Sequence, residues 1–162
     1  MTLDSDVVRA IAAKLIERGE TVSVAESSSG GLISASLLAV PGASGYYRGG
    51  SVVYTLPSRR AFLDIPRDRV EGLKPLSEEM VAVFAEAARE KLDATWGIAE
   101  LGAAGPTGSR YGHDAGTSAI GIHGPHCLTA IIETGSSDRE ANMWAFTDAA
   151  LALFLRALEA AE

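Results

Sequence analysis

β-Branched segments and amphipathic segments alternate along this chain. Runs rich in β-branched residues predict five strands, at residues 21–25, 50–55, 95–101, 117–123 and 127–134. Apolar residues at helical spacing predict helices at residues 4–18, 32–40, 58–63, 77–92 and 138–160. Strands that alternate with helices are typical of a three-layer α/β/α domain, and a hairpin formed by the last two strands makes the sheet mixed. We therefore expect residues 1–162 to form one domain of the α/β class.

The composition excludes several classes of protein. Hydrophobic residues make up 47% of the chain and charged residues 22%, which is the ordinary mixture of a folded protein and not of a disordered one. The net charge of −7 disfavours sequence-independent binding to nucleic acid, because that binding depends on neutralising phosphates. The longest apolar stretch is interrupted by Asp148 and Arg156, and the N-terminus does not resemble a signal peptide. We expect a cytoplasmic protein that binds neither nucleic acid nor a membrane.

The cysteine and the histidines give no sign of a disulfide or a metal site. The single cysteine, Cys127, cannot form an internal disulfide, and its place in a strand pattern predicts a core position. His113, His123 and His126 lack the spacing of metal ligands. We expect no metal and no cofactor.

Two polar, glycine-bearing loops each follow a predicted strand. Residues 26–31 read Glu-Ser-Ser-Ser-Gly-Gly, and residues 102–112 contain Gly105, Pro106 and Thr107. Ligands of open α/β sheets bind at the carboxyl ends of the strands. If the two strands are neighbours in the sheet, both loops face one crevice, and this crevice is the expected functional site.

The residue types at this crevice are compatible with a chemical role or a structural one. A serine at a strand-to-helix turn lies beside unpaired backbone N–H groups, which can bind an anion or stabilise an oxyanion, but the same serine can simply cap the helix. The glycines, Pro106 and Thr107 can shape a phosphate or amide pocket, or they can belong to a surface loop. Arg139, at the start of the last helix, can hold a phosphate or face solvent. Tyr54, at the end of a strand, can be a packing residue or a catalytic phenol.

Several motifs, in the right order along nearly the whole chain, resemble the CinA C-terminal domain family. They are Ala-Glu-Ser-Ser-Ser-Gly-Gly-Leu-Ile at residues 25–33, Val-Pro-Gly-Ala-Ser at 40–44, Gly-Gly-Ser-Val-Val-Tyr at 49–54, Gly-Ala-Ala-Gly-Pro-Thr-Gly at 102–108 and Asp-Arg at 138–139. The resemblance implies an anticodon-binding-domain-like α/β/α fold and a homo-oligomer. It also implies hydrolysis of nicotinamide mononucleotide to nicotinate mononucleotide and ammonia, a step of pyridine-nucleotide salvage carried out by stand-alone members of the family.

The resemblance further implies roles for individual residues. Ser27 matches the serine of the family's Ala-Glu-Ser-Cys-Thr-Gly-Gly motif and is the expected nucleophile, with Ser29 as a rival or a hydrogen-bonding neighbour. Tyr54 is expected to assist proton transfer, since a serine needs a base or a cation nearby to react at neutral pH. Backbone amides near Ser29 to Gly31 are expected to hold the oxyanion. The expected substrate-binding residues are Glu26, Gly30, Gly31, Arg59, Gly105, Pro106, Thr107 and Arg139, with Arg139 or Arg59 on the phosphate.

Three positions depart from the family's pattern. Leu56 replaces an asparagine, Arg59 replaces a lysine, and Leu101 replaces a threonine or serine. Arginine keeps the positive charge and can hold a phosphate with two hydrogen bonds, but it is a poor proton acceptor. The chain therefore resembles a divergent branch of the family.

These departures leave three hypotheses open. The first is an amidohydrolase that acts on nicotinamide mononucleotide or a related amide, and we place it first because the fold and the serine hydroxyls persist. The second is a catalytically impaired member that binds a nucleotide or metabolite without turnover. The third is an interaction protein connected with competence or DNA damage, for which the acidic charge argues against direct DNA contact and leaves protein partners open.

Overall fold

A mixed five-stranded sheet forms the centre of the computed structural model, which describes residues 1–162. In chain order the strands are β1 (Val22–Glu26), β2 (Tyr47–Val52), β3 (Trp96–Ala103), β4 (Thr117–His123) and β5 (Leu128–Glu133). Their order across the sheet is β2-β1-β3-β4-β5. β1 pairs in parallel with β2 and β3, whereas β4 is antiparallel to β3 and β5. The expectation of a mixed sheet that ends in a hairpin is confirmed.

Six helices connect and cover the strands. They are α1 (Asp6–Arg18), α2 (Leu32–Leu38), α3 (Leu56–Phe62), α4 (Arg67–Val70), α5 (Glu78–Lys91) and α6 (Arg139–Ala160), and a 3₁₀ turn spans Ala43–Gly45. The long helices begin at side chains that accept a backbone N–H of the first turn: Ser5 for α1, Ser77 for α5 and Asp138 for α6. No helix combines the length and the apolar character that a membrane span requires.

Two separate hydrophobic cores lie on the two faces of the sheet. On one face, α1, α2 and α6 pack against Val22 and Val24 of β1 and Ile98 of β3. On the other face, α5 packs against Ala25 and Ala99. Side chains alternate between faces along each strand, so the fully buried strands β1 and β3 supply both cores. The expected three-layer α/β/α arrangement is confirmed.

Helix α5 lies very close to the sheet because glycines face it. A Cβ atom added at Gly97 of β3 would stand 2.1 Å from the carbonyl oxygen of Ala85 and 2.8 Å from the amide nitrogen of Arg89. A Cβ atom at Gly121 of β4 would stand 2.8 Å from the carbonyl oxygen of Val81. A side chain at either position would collide with the backbone of α5. Glycine at both positions therefore allows the short distance between α5 and the sheet.

The structure corrects several local predictions. β2 occupies Tyr47–Val52 and not residues 50–55, because Thr55 caps α3 by accepting the N–H of Ser58. α3 begins at Leu56 and not at residue 58, since a proline such as Pro57 is tolerated in the first turn of a helix. The short helix α4 was not predicted. Cys127 was expected in the core, but it is exposed and precedes β5.

We predict that Gly97→Ala destabilises the protein by about 2 kcal/mol or more, because α5 would have to move away from β3. Urea unfolding measures the effect. Gly45→Ala is the matched control, since a Cβ atom at Gly45 would meet nothing within 4 Å. A Gly97→Ala variant as stable as Gly45→Ala would contradict the close packing of α5.

Candidate functional site

One cavity opens where β1 and β3 end. The two strands are parallel neighbours, with Glu26 paired to Glu100, so the turn after β1 and the loop after β3 leave the sheet at the same edge. The cavity has a volume of about 500 Å³. Its walls comprise Ser27, Arg59, Arg139 and residues 54–57, 102–105 and 107–111. The expectation that the two loops face one crevice is confirmed.

Six of the expected site residues line this cavity: Ser27, Tyr54, Arg59, Gly105, Thr107 and Arg139. Five others do not line it: Glu26, Ser29, Gly30, Gly31 and Pro106. Four of these five belong to the last residue of β1 and the turn after it, and the hydrogen bonds there explain their placement.

Glu26 lies beneath the turn and caps α2. Its carboxylate is fully buried and accepts hydrogen bonds from the backbone N–H groups of Gly31, Ile33 and Ser34, at 2.9, 3.1 and 2.9 Å. The hydroxyl of Ser29 donates to the same carboxylate at 2.7 Å. These N–H groups are the unpaired donors of the first helical turn, and a negative charge is favourable there. The structure therefore gives Glu26 a role in holding the turn and leaves its carboxylate no access to a ligand in the cavity.

The N–H groups of Ser29, Gly30 and Gly31 are already bound within the protein, so the oxyanion hole expected near Ser29 to Gly31 is wrong, and Ser28 is the one turn residue whose N–H donates no hydrogen bond. The N–H of Ser29 donates to Glu100, and the N–H of Gly31 donates to Glu26. The N–H of Gly30 donates to the carbonyl oxygen of Ser27. Ser29 is fully buried, with its hydroxyl bound to a carboxylate, so it is a hydrogen-bonding neighbour and not a rival nucleophile.

Ser27 is the turn serine whose hydroxyl stays free. The residue is 4% exposed and lines the cavity, and its backbone N–H bonds to Glu100 whereas its Oγ takes part in no hydrogen bond within the protein. The hydroxyl of Ser28, in contrast, donates to Glu100 at 2.5 Å. The structure thus leaves one of the three consecutive serines available to a ligand.

Glu100 is a buried acid that the sequence analysis missed. Its carboxyl group accepts the N–H of Ser27 at 3.2 Å and the N–H of Ser29 at 3.1 Å, as well as the hydroxyl of Ser28. Complete burial raises the pKa of Glu100 to about 7, with the hydrogen bonds from the three serines opposing this shift and the charge of Glu26 adding to it. The sequence did contain a signal for this buried acid. Glu100 follows Trp96 and Ile98 at alternate positions of β3, so its side chain lies on the same face of the strand as these core residues.

The cavity walls carry positive charge only. Arg59, Arg110 and Arg139 line the cavity, together with no lysine, histidine or carboxylate. None of these arginines takes part in the protein's ion pairs. Arg59 donates from Nε to the carbonyl oxygen of Val53 at 3.1 Å, and burial lowers its pKa. A cavity with these walls attracts an anion.

The loop after β3 supplies further donors. The backbone N–H groups of Gly105, Thr107 and Gly108 donate no hydrogen bond within the protein. Helix α6 holds this loop, since Asn142 donates to the carbonyl oxygen of Ala104 at 2.8 Å and Arg139 donates to that of Gly105. The other arm of the Arg139 guanidinium donates to the hydroxyl of Tyr54 at 3.1 Å. These contacts bring Tyr54, Arg139 and the loop amides to one end of the cavity.

A comparison with known protein families assigns the chain to one of them. A model described as the CinA C-terminal domain matches residues 4–158. The chain belongs to the CinA C-terminal domain family. A CinA-like protein of Parasynechococcus marenigrum (strain WH8102) is 36% identical over 132 residues, which cover 82% of this chain and 32% of that protein. A CinA-like protein of Prochlorococcus marinus (strain MIT 9313) is 39% identical over 133 residues, which cover 82% and 31%. This CinA domain therefore spans about a third of the length of these relatives.

Solved structures of CinA proteins share the fold. The competence-damaged protein (CinA) superfamily protein of Escherichia coli has a TM-score of 0.86 and 28% identity, with coverage of 96% of this chain and 90% of that chain. The competence damage-inducible protein A of Klebsiella pneumoniae has a TM-score of 0.87 and 26% identity, with coverage of 95% and 96%. The CinA C-terminal domain fold expected from the motifs is confirmed.

We predict that the free energy of unfolding falls as pH rises, through the contribution of Glu100. The pKa of Glu100 is about 7 in the folded state, whereas the ordinary value for a glutamate is 4.5. Between these two pH values the folded state therefore binds more protons than the unfolded state. Stability is therefore lost as pH rises through this window, by up to about 3 kcal/mol.

Urea unfolding of the wild type and of Glu100→Gln across this pH window measures the contribution. The variant lacks the titrating group, so its stability falls less steeply with pH. Glu133→Gln, which changes an exposed glutamate of β5, is the control and keeps the wild-type slope. Parallel curves for the wild type and Glu100→Gln would show that Glu100 makes no such contribution.

Proposed function

We propose that this CinA domain hydrolyses the carboxamide of a pyridine mononucleotide, with nicotinamide mononucleotide as the reference substrate and nicotinate mononucleotide and ammonia as products. The observation that carries the proposal is the convergence of three arginines, two tyrosines and one free serine hydroxyl on a single cavity. Each part of the substrate has a chemical counterpart among these groups. The motifs shared with the family support the same reaction.

The arginines and the free loop amides suit a phosphate monoester. The protein as a whole carries a net charge of −7, yet its cavity presents Arg59, Arg110 and Arg139 without an acidic neighbour in the walls. Guanidinium groups bind phosphate oxygens with paired, charge-assisted hydrogen bonds. The N–H groups of Gly105 and Gly108 add donors of the kind that bind phosphate oxygens in glycine-rich loops.

The tyrosines suit the pyridinium ring. Tyr54 and Tyr111 both line the cavity, and each residue is 54% exposed. A flat cationic ring is attracted to the face of a phenol. A pyridine nucleotide, which joins a cationic ring to an anionic phosphate, therefore fits walls that present both aromatic rings and arginines.

Ser27 and Tyr54 supply the chemistry of the proposed reaction. The Ser27 hydroxyl attacks the amide carbon, Tyr54 accepts the serine proton while it gives its own to the leaving nitrogen, and ammonia departs. Water then hydrolyses the ester of Ser27, which restores the serine hydroxyl and gives the carboxylate and a proton, and the released ammonia takes up this proton as ammonium. Arg139 orients the Tyr54 hydroxyl, and the oxyanion takes its hydrogen bonds from the loop after β3, since the N–H groups of Ser29 to Gly31 are occupied and Ser28 does not line the cavity.

A second candidate function is binding of the same nucleotide without turnover. The composition of the cavity walls favours it, because they contain no lysine, histidine or carboxylate to accept the serine proton. Arg59 occupies the position where the family pattern has a lysine, and a guanidinium does not act as a base. The two candidates share the binding site and differ in ammonia release.

We predict that the purified domain releases ammonia from nicotinamide mononucleotide and that Ser27→Ala lowers kcat/KM by about a thousandfold or more, because the nucleophile is lost. A coupled ammonia assay measures turnover, and calorimetry measures binding. Ser44→Ala, at an exposed serine outside the cavity, is the control. Ammonia release that is undiminished in Ser27→Ala contradicts the role of Ser27. Binding by the wild type without any ammonia supports the second candidate.

We predict that Arg139→Met weakens the binding of nicotinamide mononucleotide by about tenfold or more, because a charge-assisted hydrogen bond to phosphate is lost. Nicotinamide riboside, which lacks the phosphate, is the ligand control and should lose far less affinity. Arg156→Met changes an exposed arginine of the same helix and should keep the wild-type affinity. Equal losses for both ligands would assign Arg139 to the support of the loop and of Tyr54, and not to the phosphate.

A further inference from the structure

Glu26 and Glu100 form a pair of buried acids without a cation between them. They are register partners on β1 and β3, and both are fully buried. The hydroxyl of Ser29 lies 2.7 Å from a carboxyl oxygen of Glu26 and 3.3 Å from one of Glu100. No lysine, arginine or histidine forms an ion pair with either acid. Two negative charges side by side in a buried site repel each other, and a proton on one of the two acids removes this repulsion.

The surroundings assign this proton to Glu100. Glu26 accepts four hydrogen bonds at the N-terminus of α2, which stabilise its negative charge. Burial raises the pKa of Glu100 to about 7, and the charge of Glu26 contributes. The charged groups that Glu100 faces are Glu26 on β1 and, across the cavity wall, Arg59 of α3. On the α6 side, Phe146, which does not titrate, lies near the Ser28 hydroxyl that contacts Glu100, since a Cβ atom at Gly102 would meet both.

A neutral Glu100 satisfies the hydrogen bonds of the serine turn. Its O–H can donate to the hydroxyl oxygen of Ser28, and its other carboxyl oxygen can accept the N–H groups of Ser27 and Ser29. The backbone of Ser27 is thereby fixed from behind while its hydroxyl faces the cavity. An ionised Glu100 still accepts hydrogen bonds from the N–H groups of Ser27 and Ser29 and from the hydroxyl of Ser28, but it adds a second negative charge beside Glu26.

We propose that Glu100 is a positioning residue of the cavity: as a neutral acid it holds the turn that carries Ser27, and its ionisation places a negative charge behind Ser27 that opposes an anionic ligand. The effect on the ligand rests on the proposed function, whereas the effect on the turn does not. The proposal makes Glu100 a group that acts through Ser27 and Ser28 and does not touch the ligand.

Backbone amide shifts test the effect on the turn. In the wild type, the amide protons of Ser27 and Ser29 should titrate together near neutral pH, because both donate to Glu100. In Glu100→Gln they should not titrate, and the amide of Val24 on β1 serves as the internal reference. Absence of titration in the wild type, or the same titration in Glu100→Gln, overturns the proposal.

Ser28→Ala provides a second variant, which keeps the test decisive if Glu100→Gln does not fold. The Ser28 hydroxyl stabilises the ionised form of Glu100 more than the neutral form, because a hydrogen bond to a charged group is the stronger one, so its removal should move the midpoint of the amide titration to higher pH. Ser44→Ala is the matched control and should leave the midpoint in place. An unchanged midpoint in Ser28→Ala overturns the assignment of the titration to Glu100.

Binding of nicotinamide mononucleotide tests the effect on the ligand. Between about pH 6 and about pH 8.5, the ratio of the wild-type Kd to the Kd of Glu100→Gln should rise about threefold or more, because only the wild type gains a charge. Using the ratio cancels the titration of the ligand's own phosphate. A constant ratio overturns the electrostatic part of the proposal. If no variant binds the nucleotide at any pH, the proposed function fails, and the amide titration still decides the role of Glu100 in the turn.

Discussion

Two carboxyl groups lie side by side under the serine turn, and they accept the backbone N–H groups of Ser27, Ser29 and Gly31. Glu26 binds the amides that begin α2, and Glu100 binds those of Ser27 and Ser29. A strand-to-helix turn of this shape would otherwise offer its amides to a ligand. Because the protein's own acids fill that role, the turn presents a single hydroxyl, that of Ser27, to the cavity. Ser28, the one turn residue with a free N–H, does not line the cavity, so the proposed stabilisation of an anion or an oxyanion draws on another element.

That element is the loop after β3 with the helix that holds it. Gly105, Thr107 and Gly108 have free N–H groups, and Arg139 links the loop to Tyr54. The site is thus divided between two parallel strands: β1 carries the candidate nucleophile, and β3 leads to the donors. Neither loop by itself supplies both the candidate nucleophile and the hydrogen-bond donors, so the site depends on the pairing of β1 with β3.

The sequence predicts the fold well because its signals are local. Alternating strands and helices, capping residues and glycine turns give the three layers, and the order of the loops predicts the shared crevice. The details of the site depend on contacts across the sheet, which no local pattern contains. The register of β1 on β3 places Glu100 opposite Glu26. This placement determines which backbone amides of the serine turn are free. Cys127 likewise has a strand pattern around it and lies outside the strand.

The three departures from the family pattern differ in consequence once their positions are known. Leu101 is 2% exposed and packs in the core beneath α5, on the opposite face of β3 from Glu100, so the polar group missing at this position does not affect the cavity. Leu56 and Arg59 do line the cavity. Arg59 keeps a positive charge where the pattern has a lysine but removes a proton acceptor. The proposed hydrolysis therefore depends on Tyr54 for proton transfer, and Arg139 holds the Tyr54 hydroxyl by a hydrogen bond.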